Sequence, residues 1–376
     1  MASTRTPQLP RLRATMGSMM EDEIQTMLLD QARRLVETEV SWQRLKALLE
    51  ESGSFDAALW EKAVELGWPA VAIAEEAGGL GLGVSALAPL LQILGEYTVS
   101  LPLVAGYVTA SALAAGGVAP DVAAALAGGE AMAALALGEP GESGLMPAAR
   151  FADGKVTGAK APAAFAAVAT HALVSALDGA TPGLYLVELG DSMREAAPTL
   201  DNARAAAALR LDGAAAIPVA SGWNAVLHWA SIAAALTAWE QIGGTERCLS
   251  ISVAYAKERK VFGQPIGAFQ AIKHKLADMY QELEIGRGCA IDALESLEAG
   301  ETDRFLALAA AARLGASAAY DFASRETIQT HGGIGVTWEA EPHHHYRRAR
   351  VHALELGGAP FWRDLLLDGQ PALENA

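Results

Sequence analysis

Apolar positions along this chain change period twice, and the changes divide it into three stretches. Over residues 20–49 they recur at helical spacing, with Glu21, Asp22 and Glu23 early and Arg33, Arg34, Arg44 and Lys46 later, an order that complements a helix dipole. One long helix is expected there. A second follows Ser54 as N-cap, with Ala57, Leu59, Trp60, Ala63, Val64 and Leu66 as its apolar side chains and Gly67 ending it. The glycine-rich stretch 75–83 has no clear strand before it and no lysine, so it reads as a structural turn rather than a phosphate loop. Helical pattern then resumes over 84–96 and continues to about residue 126.

From Ala131 the period shortens. Apolar runs at 133–137, 173–176 and 184–187 are separated by Gly138-Glu139-Pro140-Gly141, Asp178-Gly179 and Thr181-Pro182-Gly183, which predict strands and turns. Residues 153–160 read as a hairpin, and 209–213 close a small β-domain. After Ser221 the helical period returns and stays, with helices expected at 223–243, 245–258, 270–298, 303–330 (Thr302 as N-cap) and about 346–367. The expected fold is α+β and mainly helical. It has an N-terminal helical domain at 19–130, a central β-domain at 131–218 and a C-terminal antiparallel helical bundle at 219–376. Residues 1–18 read as a polar extension, disordered or added ahead of the natural start.

Composition narrows the function. A chain of 376 residues with 52% hydrophobic side chains has room for more than one core. Its net charge of −16 would repel a phosphate backbone, which argues against nucleic-acid binding. Cys248 and Cys289 make neither a disulfide framework nor a metal set. His343-His344-His345 beside Glu341 does not make one either, because three consecutive side chains on a regular element do not converge on one ion. The most apolar tract, 84–115, is interrupted by Pro89, Glu96 and Pro102, and a charge near mid-bilayer costs about 3 kcal/mol, so no membrane span is expected. The first 18 residues lack the apolar core of a signal peptide, and a cytoplasmic location is expected.

The chemistry concentrates where two of these helices join. Arg259-Lys260-Val261-Phe262-Gly263-Gln264-Pro265-Ile266-Gly267-Ala268-Phe269-Gln270 brings an arginine, an aromatic and a glutamine into one short loop. An arginine forks onto phosphate oxygens, a phenyl face stacks on adenine, and a glutamine both donates and accepts. With the continuation Ile272 to Met279, the stretch resembles the motif loop of the acyl-CoA dehydrogenase family, and Gln329-Thr330-His331-Gly332-Gly333-Ile334-Gly335 resembles its second motif. That resemblance implies FAD as cofactor and an acyl-CoA as substrate. The activity implied is removal of the α-proton of the thioester while a hydride passes from the β-carbon to the flavin. Arg259, Phe262 and Gln270 from one chain, with Gln329, Gly332 and Gly333 from its neighbour, are the implied FAD clamp. A dimer of dimers follows, homomeric or heteromeric, passing electrons to a further flavoprotein.

Several positions depart from the family's pattern. The tryptophan and hydroxyl that usually meet the flavin ring are replaced by Ala161-Pro162-Ala163-Ala164. An ungapped count from Gln329 puts the usual catalytic glutamate at Leu356, one residue from Glu355, which is the candidate base. The alternative position used by other members falls near Ala233, and the nearest carboxylate there, Glu240, is expected to face solvent. Arg347, Arg348 and Arg350 make a basic patch that either steers a CoA phosphate, if it faces the cleft, or is taken up in salt bridges. Two further readings stay open: a non-catalytic subunit lending part of the FAD site, and a flavin-dependent monooxygenase on the same fold.

Overall fold

The computed structural model describes residues 9–368, with side chains from 23 to 367. Six helices come first: α1 (Leu9–Glu39), α2 (Trp42–Glu50), α3 (Ala57–Glu65), α4 (Val84–Glu96), α5 (Leu103–Gly116) and α6 (Pro120–Gly128). Of the extension expected at 1–18, residues 1–8 lie outside the described residues, and from Leu9 the chain is already in α1. The helix expected over 20–49 is two helices. Ser41 takes extended backbone between them, and its hydroxyl accepts the Arg44 amide, capping α2. Asp56, not Ser54, caps α3, accepting from Leu59 N at 3.0 Å.

Seven strands follow: β1 (Ala133–Ala136), β2 (Arg150–Ala152), β3 (Lys155–Ala163), β4 (His171–Asp178), β5 (Thr181–Glu188), β6 (Arg194–Ala196) and β7 (Ala207–Ser221). Strand β4 pairs with β2 and β5, β2 with β3, β3 with β7, and β7 with β5, so the sheet closes on itself with β1 and β6 added. The short residues of this barrel (Ala134, Ala136, Ala172, Val174, Ala176) fill a small core of their own.

The C-terminal bundle holds α7 (Trp223–Glu258), a two-stranded hairpin β8 (Lys260–Val261) and β9 (Gln264–Pro265), then α8 (Gln270–Glu298), α9 (Thr302–His331), α10 (Pro342–His352) and α11 (Ala359–Asp368). Glu301, not Thr302, stands at the N-cap of α9. Helix α7 is continuous where two helices were expected. Gly243 and Gly244 do not break it; they let neighbours in. A Cβ on Gly243 would sit 1.9 Å from the Gln92 carbonyl oxygen, and one on Gly95 would sit 1.9 Å from that of Glu240. Helices α4 and α7 therefore cross at backbone contact, joining N-terminal and C-terminal helices in one apolar core.

The helix expected at about 346–367 also differs, divided into α10 and α11 by the turn 353–358. Leu356 adopts φ 58° and Gly357 φ 88° there. The turn is tied down by Trp362 Nε1 donating to Leu356 O at 2.9 Å and Gly358 N donating to Ser143 O at 2.8 Å. No helix among the described residues is long and apolar enough to cross a membrane. The mainly helical, helix–barrel–bundle architecture is the expected one.

Candidate active site

A cavity of about 110 Å³ opens where the three parts of the fold meet. Val104 and Ala105 of α5, Leu135 of β1 with Leu137 and Gly138 after it, and the segment Ala161 to Phe165 at the end of β3 form its apolar walls. Thr237 and Glu240 of α7, Arg204, and the turn Leu354 to Gly357 complete it, with Glu142 at the rim. The Ala161-Pro162-Ala163-Ala164 run thus lies on the wall, where its short side chains leave space.

Three charged groups share the cavity. Arg204, on the turn between β6 and β7, donates from Nε to Glu355 Oε1 at 2.7 Å and from Nη1 to Glu240 Oε2 at 3.2 Å. Its guanidinium also lies 5.4 Å from the Phe165 ring centre. Burial works against the Arg204 charge, but the carboxylates of Glu355 and Glu240 outweigh it and hold its pKa above the usual value. Burial raises the pKa of Glu240, against the opposing pull of Arg204 and Arg348. His352 Nε2 lies 3.4 Å from Glu240, and burial pushes that imidazole well below its ordinary range.

Each of these groups is held from behind. Arg313, buried on α9, donates to the carbonyl oxygens of His352 and Glu355 and so fixes the turn that carries Glu355. Asp201, three residues before Arg204, pairs with Arg348 of α10, whose guanidinium also donates to Val99 O at 3.0 Å and Thr98 O at 2.7 Å. Asn202 Nδ2 donates to Leu49 O at 2.9 Å. One short segment between two strands therefore binds the N-terminal helices, the barrel and the bundle together. Under the cavity wall, Lys160 and Glu139 form a buried pair at 2.5 Å, with Ser175 O and Oγ each 3.0 Å from the ammonium.

The motif residues lie elsewhere, at one end of the bundle. Arg259 ends α7, Phe262 stands at the tip of the β8–β9 hairpin and is 93% exposed, and Gln270 opens α8. Gln329 is exposed in the last turn of α9, and Gly332 and Gly333 follow it. Tyr255 of α7 stacks on His331 with ring centres 4.3 Å apart, which brings the two motif segments to the same end. Gly332 has φ 66°, which favours glycine, and a Cβ on either glycine would meet nothing within 4 Å. An exposed arginine, aromatic and glutamines beside bare glycine backbone are groups of the kind that hold a nucleotide diphosphate, and the two segments are the two halves expected to meet across chains.

One expectation is corrected here, and an open alternative is decided. Glu240 does not face solvent: α7 is buried on all sides through its middle, so a charged side chain there has no exposed face to take. The basic patch does not face the cavity. Arg348 is 3% exposed and spent on Asp201 and two carbonyls, Arg350 pairs with Asp321, and Arg347 stacks 5.0 Å above Trp338. Of the histidines, His343 and His344 stack on each other, while His345 bonds Tyr320 at 3.0 Å and Glu341 at 3.3 Å. Sequence reasoning missed Arg204 and Arg313. Arg313 sits in an alanine-rich helical run and Arg204 is followed by Ala205 to Ala208, apolar surroundings that were a signal of burial for both.

Comparison with known proteins shows the family of the chain. Residues 22–121 match the acyl-CoA dehydrogenase N-terminal domain and residues 220–360 the C-terminal domain. The acyl-CoA dehydrogenase IpdE2 of Mycobacterium tuberculosis is 33% identical over 88% of this chain and 92% of that protein. Among solved structures, a variant of the Tcur3481–Tcur3483 steroid acyl-CoA dehydrogenase superposes with a TM-score of 0.85 at 32% identity, over 93% of this chain and 98% of that one. The ChsE4–ChsE5 complex of Mycobacterium tuberculosis gives a TM-score of 0.82 at 26% identity, over the same shares. With its helical domains matched at both ends and a relative spanning most of its length, the chain belongs to the acyl-CoA dehydrogenase family of FAD flavoproteins and is an oxidoreductase of that type.

Proposed function

We propose that this protein carries out FAD-dependent α,β-dehydrogenation of an acyl-CoA thioester, with Glu355 as the base and a second, different chain sharing the assembly. The observation that carries the reading is Glu355 itself. The turn displaced by Leu356 and Gly357 turns the carboxylate to the cavity, although the family register puts the base one residue later. FAD, when bound, supplies the hydride acceptor. Arg259, Phe262 and Gln270, with Gln329, Gly332 and Gly333 of a neighbouring chain, are the residues that would hold its ADP half, by forked phosphate bonds, stacking and close backbone approach. Within the cavity this chain's part is to exclude water with its apolar walls, to hold the thioester against Glu355, and to receive the α-proton on a Glu355 oxygen.

The mixed assembly is supported by two features. The Ala161 to Ala164 wall offers no aromatic and no hydroxyl to a flavin ring, and the similar solved proteins are named as pairs of different chains. An electron-accepting flavoprotein is the proposed partner for reoxidation. A second reading is favoured by the Arg204–Glu355 ion pair: the carboxylate oxygen is already bonded to a guanidinium at 2.7 Å, as would suit a chain that lends only part of a FAD site. The test is purification from the native host, with mass spectrometry of co-purifying chains and an absorbance spectrum. Bound flavin bleached by acyl-CoA without oxygen supports dehydrogenation. Flavin that resists acyl-CoA but is reduced by an added reductase contradicts it and favours a monooxygenase.

A further inference from the structure

Glu240 is a carboxylate that the proposed reaction does not use, yet it is 5% exposed and borders the same cavity as Glu355. Its place is fixed by backbone. Helix α7 meets α4 where the Glu240 carbonyl lies against Gly95, so the helix cannot roll to carry the side chain elsewhere. Arg204 stands between the two carboxylates, 2.7 Å from Glu355 and 3.2 Å from Glu240. Without Glu240, a Glu355 that takes up a proton would leave Arg204 a buried guanidinium with no counter-ion, which strongly opposes the transfer.

We propose that Glu240 is a positioning residue for proton abstraction: it keeps the Arg204 guanidinium paired and in place while Glu355 passes from carboxylate to carboxylic acid. The inference rests on Glu355 as the base. In the transfer, the Cα–H bond of the thioester breaks, its proton goes to a Glu355 oxygen, and its electron pair stays on the substrate as the enolate. One guanidinium faces at least one carboxylate throughout. While Glu355 is charged, Glu240 is the weaker partner, because burial disfavours its ionised form; once Glu355 is neutral, Arg204 belongs to Glu240 alone.

The other charges facing this pair do not replace Glu240. From α10, Arg348 is committed to Asp201 and His352 is kept neutral by burial. From α9, Arg313 is committed to backbone carbonyls. Glu142, across the cavity, makes no ion pair among the described residues.

The test is exchange of the substrate α-proton with deuterated water, measured on the assembled holoenzyme across the carboxylate titration range. Glu240→Gln keeps the shape and an acceptor but removes the charge. It is expected to slow exchange about tenfold and to move the acidic limb down by about one pH unit, since Arg204 then bears on Glu355 undivided, with KM within about twofold of the parent. Glu240→Asp, which keeps the charge but draws it back from Arg204, is expected to move the limb down by a smaller amount, and it carries the test if Glu240→Gln does not fold. A merely structural role would leave the limb where it is. An unmoved limb in the variant that folds, with Glu355→Gln inactive, overturns the role of Glu240 and leaves the base standing. Wild-type exchange in Glu355→Gln overturns the base and this inference together.

Discussion

The buried Lys160–Glu139 pair gives a quantitative test of how the cavity wall is held. Lys160 is fully buried and Glu139 3% exposed, and the pair lies directly beneath Gly138 and Ala161, whose N–H···O bond of 3.0 Å is part of the wall. Burial pulls the lysine pKa down although Glu139 pushes it up, so the ammonium depends on its partner. Lys160→Met leaves a buried carboxylate and costs about 3–5 kcal/mol. Glu139→Leu leaves a buried ammonium and also strips the acceptor from Ala148 N, bonded at 2.9 Å, adding about 1–3 kcal/mol. The double variant removes both charges and should cost well under the sum. With an unfolding entropy of about 2.1 cal/mol/K per residue, 3–5 kcal/mol lowers the thermal midpoint of a 376-residue chain by about 4–6 °C if it melts as one unit. Calorimetry of the two single variants and the double one reads this directly. A single-variant drop under about 1 °C, or a double variant whose loss equals the sum, would refute the reasoning.

Other perturbations separate the remaining parts of the account. Gly243→Ala forces a methyl group into the Gln92 carbonyl and should cost at least about 3 kcal/mol, whereas Gly106→Ala, with nothing within 4 Å of the new carbon, should be neutral or stabilise by up to about 1 kcal/mol; chemical denaturation compares them. Burial holds His343 at about 4 and His344 at about 3, with the Arg347 charge adding to it at His343. The folded state therefore binds fewer protons than the unfolded chain below about pH 6.5, and stability must fall as pH drops toward 4. His344→Phe should flatten that fall by on the order of 2 kcal/mol, read from denaturation midpoints at each pH. Arg259→Ala and Phe262→Ala should each weaken FAD retention about tenfold or more without lowering the melting point of the flavin-free protein, because Phe262 is almost fully exposed and Arg259 makes no ion pair among the described residues; flavin absorbance after gel filtration measures it.

The family motif could be read from residue order because it is local. Arg259 to Gln270 is one continuous turn between helices, so its residue types carry their own geometry. The helical and strand textures were legible for the same reason: each is a short-range period. What escaped depends on packing between distant segments. Gly243 looks like a helix end until α4 arrives against it, and with the helix taken as ending there, Glu240 was assigned to a surface that does not exist. Arg348 looks like one cation in a basic run, yet it reaches across the fold to Asp201 and the backbone at 98–99. The partners of Arg204 had no signal, since they lie 36 and 151 residues away. The turn that presents Glu355 depended on a non-glycine residue, Leu356, accepting positive φ, which no pattern announces.

The measurement that bears most directly on the central claim is α-proton exchange in Glu355→Gln. The substitution keeps the shape of the turn and the Arg313 contacts to its backbone, and it removes one carboxylate. With flavin bound and the melting point unchanged, exchange of the acyl-CoA α-proton should fall by about a thousandfold or more. Exchange at the parent rate would mean that another group, in this chain or its partner, takes the proton.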